Sequence, residues 1–137
     1  MITINTDGGA RGNPGPAAIG VVIKDGKGKV VKEYGKTIGE ATNNIAEYSA
    51  VVSALEALAK LLGAKAKQAE VLIEADSELI VKQLKGEYKV KDANLQKEFI
   101  KVYNLKQKFL QVSYKHIPRE KNKRADELVN AALDRDI

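Results

Sequence analysis

The apolar residues first change period near residue 42, and that change limits the folds open to this chain. Before it, Ile2 and Ile4 alternate with Thr3 and Asn5, the two-residue period of a half-buried strand. Gly8-Gly9 and Gly12-Asn13-Pro14-Gly15-Pro16 then break the chain. Two more β-prone runs, Ile19 to Lys24 and Lys29 to Ile38, flank Asp25-Gly26-Lys27-Gly28, a hairpin connection. Three strands on short turns predict an antiparallel meander. After the change, Ile45, Tyr48, Val52, Leu55, Ala59 and Leu62 step by three and four, one apolar helix face. Thr42, Asn43 and Asn44 are its N-cap candidates and Gly63 its stop. Val71-Leu72-Ile73 reads as a short buried strand that extends to Ala75 and leads into a helix from Ser77 to Leu84. A helical pattern covers Ala93 to Lys108, a strand Phe109 to His116, and a last helix Lys121 to Leu133. The order β-β-β-α-β-α-α-β-α makes one α/β domain over residues 1–137 with a mixed sheet.

The length suits that domain, because a chain of 137 residues buries roughly 68% of its unfolded surface and needs no disulfide staple. There is no cysteine, and 44% hydrophobic with 30% charged residues excludes a disordered chain. No signal-peptide pattern or membrane-length apolar run is present, so a cytoplasmic protein without membrane contact is expected. The net charge of +5 is the average of two opposed parts. Val81 to Arg124 holds 13 basic and 4 acidic residues, and the remainder carries a net −4. A basic segment beside an acidic remainder points to a polyanionic partner, with Lys-rich solvated helix faces as the plainer account.

Four acids stand where elements begin or end. Asp7 closes the first strand, Glu47 lies in the first turn of the long helix, Asp76 ends the strand from Val71, and Asp126 is near the start of the last helix. If the first and fourth strands are neighbours, Asp7 and Asp76 emerge side by side, and the two helices aim Glu47 and Asp126 at them. Such a cluster repels itself unless a cation sits in it, and hard oxygen donors select Mg²⁺ or Mn²⁺. Two ions about 4 Å apart suit in-line displacement at a phosphodiester. Each acid alone also has an ordinary account. Asp7 is then a turn residue, Asp76 an N-cap, and Glu47 and Asp126 partners of helix dipoles.

Four blocks in sequence order carry a family resemblance. Thr6-Asp7-Gly8-Gly9-Ala10-Arg11-Gly12-Asn13-Pro14-Gly15-Pro16-Ala17 resembles the opening of ribonuclease HI, and Thr42-Asn43-Asn44-Ile45-Ala46-Glu47-Tyr48 resembles its Asn-Asn-x-x-Glu helix start. Glu74-Ala75-Asp76-Ser77 is similar to its Asp-Ser strand end. His116, Asn122, Ala125, Asp126 and Glu127 follow its His-x5-Asn-x2-Ala-Asp-Glu pattern. The resemblance covers essentially the whole chain. It implies a five-stranded mixed sheet, three antiparallel strands and then two parallel, flanked by helices. It also implies cleavage of the RNA strand of RNA·DNA hybrids, leaving 3′-hydroxyl and 5′-phosphate ends. Asp7, Glu47, Asp76 and Asp126 would hold two Mg²⁺ ions, with Mn²⁺ as a substitute. His116 would assist in proton handling or product release. Asn13, Asn43 and Asn44 match contacts to the hybrid's minor groove, Thr42 a contact to a DNA-strand phosphate, and Asn122 joins this substrate-binding set. Gly9 and Arg11 would present backbone amides near 2′-hydroxyls. Double-stranded RNA is a second candidate partner, and a monomer is expected.

The sequence departs from the family pattern in three places. Glu78 replaces a frequent Gln, and Asp92 occupies a segment where relatives often place an Asn on the DNA phosphate. Lys85 to Asn94 is shorter than the Trp- and Lys-bearing protrusion of long bacterial members, and this chain has no Trp; Lys82, Lys85, Lys89 and Lys91 are left to form a reduced version. The competing readings are a non-catalytic module binding hybrid or double-stranded RNA on the same fold, and a DNA-directed nuclease or strand-transfer enzyme sharing the acidic cluster.

Overall fold

The computed structural model describes residues 1–135. Its strands are β1 (Ile2–Ala10), β2 (Gly15–Lys24), β3 (Val30–Ala41), β4 (Glu70–Ala75) and β5 (Gln111–His116). Its helices are α1 (Asn43–Leu62), α2 (Glu78–Leu84), α3 (Ala93–Lys106) and α4 (Lys123–Arg135). The sheet order is β3-β2-β1-β4-β5. The first three strands form the expected antiparallel meander, and β1–β4 and β4–β5 pair in parallel. Among the described residues no helix is long and apolar enough to cross a membrane.

The helices lie on opposite faces of the sheet, and two close approaches show which. A Cβ on Gly8 would lie 2.2 Å from the backbone of Ala46 in α1, and one on Gly20 would lie 2.2 Å from the carbonyl oxygen of Ala125 in α4. Gly20 is the register partner of Asp7, so the α4 face is the face of Asp7 and the α1 face that of Ile4, Thr6 and Gly8. The larger core lies on the α1 face, where Ile4, Val21, Ile23 and Ile73 meet Tyr48, Val51, Leu55 and Leu58, with Val102 of α3 in the same cluster. The smaller one joins Ala18 to Val129, Ala132 and Leu133 of α4.

The element order matches the sequence reading, and several boundaries differ. β2 begins at Gly15, because Pro16 accepts a hydrogen bond from Arg11 N at 2.8 Å and the Gly-Pro segment turns directly back into the sheet. β3 runs on to Ala41 because β2 pairs with it along its whole length through two register shifts. α4 starts at Lys123, after a 3-10 turn over Arg119–Lys121, and a second 3-10 segment, Gly63–Gln68, follows α1. The buried arc of α1 is Ala46, Tyr48, Ala50, Val51, Ser53, Ala54, Leu55 and Leu58, whereas Ile45, Val52, Ala59 and Leu62 sit at its margin. Three alanines replace the expected large side chains at the sheet, which lets the helix approach Gly8 closely.

The basic segment is also divided by the sheet. α2 and α3 lie with α1, whereas Arg124 on α4 forks onto Glu33 of β3, with Nη2 and Nε at 2.8 and 3.1 Å. Gly20→Val should cost about 1–3 kcal/mol, since its neighbour is backbone that cannot swing aside. A lower denaturation midpoint with unchanged m-value is the expected readout.

Candidate active site

The parallel pairing of β1 with β4 ends at Thr6↔Ala75, so the next residues, Asp7 and Asp76, leave the ladder side by side. β1 itself continues to Ala10 against β2, so Asp7 lies within the strand rather than closing it. Its carboxylate accepts from Gly8 N at 3.0 Å. Ser77 caps α2, its Oγ accepting from Ile80 N at 3.4 Å, which leaves the Asp76 carboxylate free of capping duty. α1 is capped by Thr42, whose Oγ1 accepts from Ile45 N at 3.2 Å. Glu47 is then the fifth helical residue, in the second turn rather than the first, and beyond the stretch a helix dipole favours most. Asp126 lies in the first turn of α4.

One carboxylate oxygen each from Asp7, Glu47 and Asp76 falls within a common 4.8 Å. Asp126 faces Asp7 closely enough to act on it by charge and hydrogen bonding, and lines the same cavity of about 460 Å³. The cost of this crowding is visible in proton affinities. Burial, then the charges of Asp76 and Asp126, push Asp7 from the usual 3.8 up to about 7, although a hydrogen bond with Glu47 works against them. Burial, then Asp7 and Asp76, hold Glu47 well above its usual value. Burial raises Asp76 too, opposed by the Arg119 guanidinium and by the Asn122 amide. Clustered hard oxygen donors that hold protons for want of a counter-charge fit a divalent cation such as Mg²⁺.

The other expected residues fall into four groups. Gly9, Arg11, Asn43 and Asn44 line the acidic cavity. Arg11 N is spent on Pro16 O at 2.8 Å, which corrects the expectation that its amide faces a ligand, and its guanidinium meets Asp134 of α4 at 2.7 Å. Asn13 and Thr42 belong with Asn43 and Asn44 to an adjoining cleft of about 370 Å³ that also includes Asp92 and Asn94. There Asn13 Oδ1 accepts from Asn43 N and Asn43 Oδ1 from Ala10 N, both at 2.9 Å, so the amide donors are what this pair can offer a ligand. Asp92 caps α3, accepting from Asn94 N at 2.8 Å and Leu95 N at 3.0 Å.

His116 is exposed at the end of the edge strand β5, opposite Ala75, and is not among the residues lining the cavity. Asn122 is buried rather than offered to a substrate: it is 2% exposed, and its Nδ2 donates to Thr6 O at 2.9 Å. Lys82 is occupied by Glu78 at 2.8 Å and by the Tyr88 hydroxyl at 3.3 Å, whereas Lys85, Lys89 and Lys91 are exposed.

Sequence reasoning missed two residues here. Arg119 lines the cavity beside Asp76, its single charge hidden in a run of lysines. Asn5 falls on the polar side of the β1 alternation yet is 5% exposed, because α4 covers that face.

A family model described as reverse transcriptase-like matches residues 5–132. The chain is 44% identical over 128 residues to a ribonuclease HI of Halobacterium salinarum, covering 93% of this chain and 62% of that protein, so it spans less than two thirds of that relative's length. It is 32% identical over 140 residues to a ribonuclease H of Chromohalobacter salexigens, covering 97% of this chain and 84% of the relative. It also superimposes on LC11-RNase H1, solved in complex with an RNA/DNA hybrid, with TM-score 0.94, 53% identity and 98% of each chain covered.

The raised Asp7 carboxyl sets a pH dependence. Its native form keeps a proton that the unfolded chain releases near 3.8, so the associated stability is present below about pH 4 and is lost as the pH rises through about 7. Metal-free protein should therefore melt at a lower temperature at pH 8 than at pH 5. Added Mg²⁺ should raise the melting temperature more at pH 8, since cation and proton compete for the same oxygens; an equal rise at both values would contradict the assignment.

Proposed function

Because the chain belongs to the type 1 ribonuclease H family, we propose that it is a metal-dependent endonuclease that hydrolyses the RNA strand of RNA·DNA hybrids. The products are a 3′-hydroxyl and a 5′-phosphate. The observation that carries this reading is the convergence of Asp7, Glu47 and Asp76, with Asp126 beside Asp7, on a cavity that also contains Asn43, Asn44 and Arg119.

In this reading Asp7, Glu47, Asp76 and Asp126 would hold two Mg²⁺ ions, whose chemistry would be to make a bound water more acidic and to offset charge at the scissile phosphate. Three of the carboxylates come from β1, α1 and α4, and Asp76 is the residue next after β4, so their separation is set by the packing of the sheet and its helices rather than by a long loop. Arg119 opposes the negative charge at Asp76 and leaves that carboxylate readier to act as a ligand. Asn43 and Asn44, at the first positions of α1, present donors to the minor groove, where the RNA 2′-hydroxyl marks the strand to be cut. Thr42 bounds the adjoining cleft, suited to a DNA-strand phosphate, and Asn13 on the same cleft adds a minor-groove donor. The exposure of His116 supports an auxiliary part in proton transfer to solvent or in product release.

The test is cleavage of matched RNA·DNA, RNA·RNA and DNA·DNA duplexes with Mg²⁺ or with EDTA. Products from the hybrid with Mg²⁺ alone are expected; no products with Mg²⁺ would leave a binding module. Asp7→Asn should abolish cleavage while hybrid binding stays within a few-fold of the wild type. Binding itself should weaken steeply between 50 and 200 mM salt, by roughly an order of magnitude or more, because each phosphate contact releases a counterion. A salt-insensitive Kd would contradict a role for the exposed lysines.

A further inference from the structure

A line of buried amide hydrogen bonds runs beneath the acidic cavity on the α4 face of the sheet. Asn5 of β1 stands in register with Glu74 of β4. Its Nδ2 donates to Glu74 Oε1 at 3.3 Å and to Asn122 Oδ1 at 3.2 Å. Asn122 Nδ2 in turn donates to the carbonyl of Thr6, the residue before Asp7, at 2.9 Å. The backbone carbonyl of Asn122 accepts from Asp126 N at 3.2 Å. Asn122 thus ties the strand that carries Asp7 to the helix that carries Asp126.

A carboxamide can be turned end for end without changing shape, so its partners must choose its orientation. The choice here begins at Glu74. A carboxylate only accepts, so Asn5 turns Nδ2 toward it. The second hydrogen of that Nδ2 faces Asn122, which must answer with Oδ1. Nδ2 of Asn122 is then left for the Thr6 carbonyl, and the same amide lies within hydrogen-bonding reach of the Asp76 carboxylate. Reversing Asn5 would reverse Asn122 and set its oxygen against a carbonyl and a carboxylate. Neither Asn5 nor Glu74 lines the cavity.

We propose that Asn5, oriented by Glu74, is a positioning residue of the acidic site, holding Asp7, Asp76 and Asp126 in register through the Asn122 amide. The proposal rests on the reading of that cavity as the hydrolytic site. Asn5→Asp keeps the shape and removes the donor, but alone it sets a buried carboxylate against Glu74 and risks unfolding. It is therefore compared in a Glu74→Gln background, where the introduced amide can donate to the new carboxylate.

The expected result is that Asn5→Asp/Glu74→Gln melts within a few degrees of Glu74→Gln. Its kcat on the hybrid should be about 10- to 100-fold lower, with KM for the hybrid unchanged and a smaller Mg²⁺-induced rise in melting temperature. In ¹⁵N-edited spectra, the Asn122 side-chain amide protons should lose their contacts to the Thr6–Asp7 backbone. Equal turnover and Mg²⁺ response in the two variants would overturn the proposal, as would a loss of kcat that only tracks a loss of stability. A wild-type protein that leaves the hybrid intact in Mg²⁺ would instead overturn the hydrolytic reading. The NMR contacts and Mg²⁺ stabilisation would then decide the Asn5 proposal by themselves.

Discussion

The rest of the structure depends on one unfavourable contact: carboxylates brought together where the parallel ladder of β1 and β4 stops. Thr6 and Ala75 form the last register pair, and the chain then places Asp7 and Asp76 next to each other with Glu47 over them. Left in water these groups would repel and separate. They stay because each is fixed by packing on a different element. Gly8 lets α1 settle on β1, and Gly20 and Gly35 let the backbone of α4 settle on β2 and β3. A side chain at any of these glycines would meet helix backbone at 2.2–2.3 Å. The close approach of both helices is thus the condition for holding the acids together, and a cation relieves what the packing enforces.

This explains which parts of the site were legible in the sequence. Strand and helix types followed from the changes of hydrophobic period, and the four acids stood out by falling near the ends of the elements read from the sequence, although Asp7 lies inside β1 and Glu47 in the second turn of α1. The phase of α1 was legible in part: Tyr48 and Leu55 mark the buried face, whereas Ala46, Ala50 and Ala54 carry too little hydrophobicity to do so and Ile45, Val52, Ala59 and Leu62 shift the apparent stripe toward its margin. Asn5 was misplaced for a related reason. Alternation along β1 separates an apolar from a polar face, but it does not say that a later helix will cover the polar one. Asn122 looked like a substrate contact by motif, and its burial became visible only once Asn5 and Thr6 were found beneath it.

Charge was the least transferable signal. The basic segment reads as one run, yet the sheet divides it, and its members meet different fates. Arg124 grips Glu33 across the α4 face, Lys101 pairs with Glu98 at 2.9 Å, and Lys82 is shared between Glu78 and the Tyr88 hydroxyl. Arg119, by contrast, enters the acidic cavity. A count of charges along the chain weighs these residues equally; only their three-dimensional partners separate the ones that brace the fold from the ones left exposed.

The short connection between α2 and α3 shows how such bracing replaces bulk. Tyr48 donates its hydroxyl hydrogen to Gln83 Oε1 at 2.9 Å, and Gln83 Nε2 reaches the carbonyl of Lys89 at 3.4 Å, so a buried amide fastens the loop to the core helix α1. Outside it, Lys82 Nζ lies 4.9 Å from the centre of the Tyr88 ring. Asp92 then closes the loop by capping α3. With both ends held, Lys85, Lys89 and Lys91 project from a short, anchored segment rather than from a long mobile arm. The reach of such exposed charges is shortened by salt, whereas the amide donors of Asn13 and Asn43 act by geometry and are less sensitive to it. On the proposed hydrolytic reading, that division of labour would let the lysines set how strongly a duplex is held and the asparagine cleft set how it is aligned with the acids.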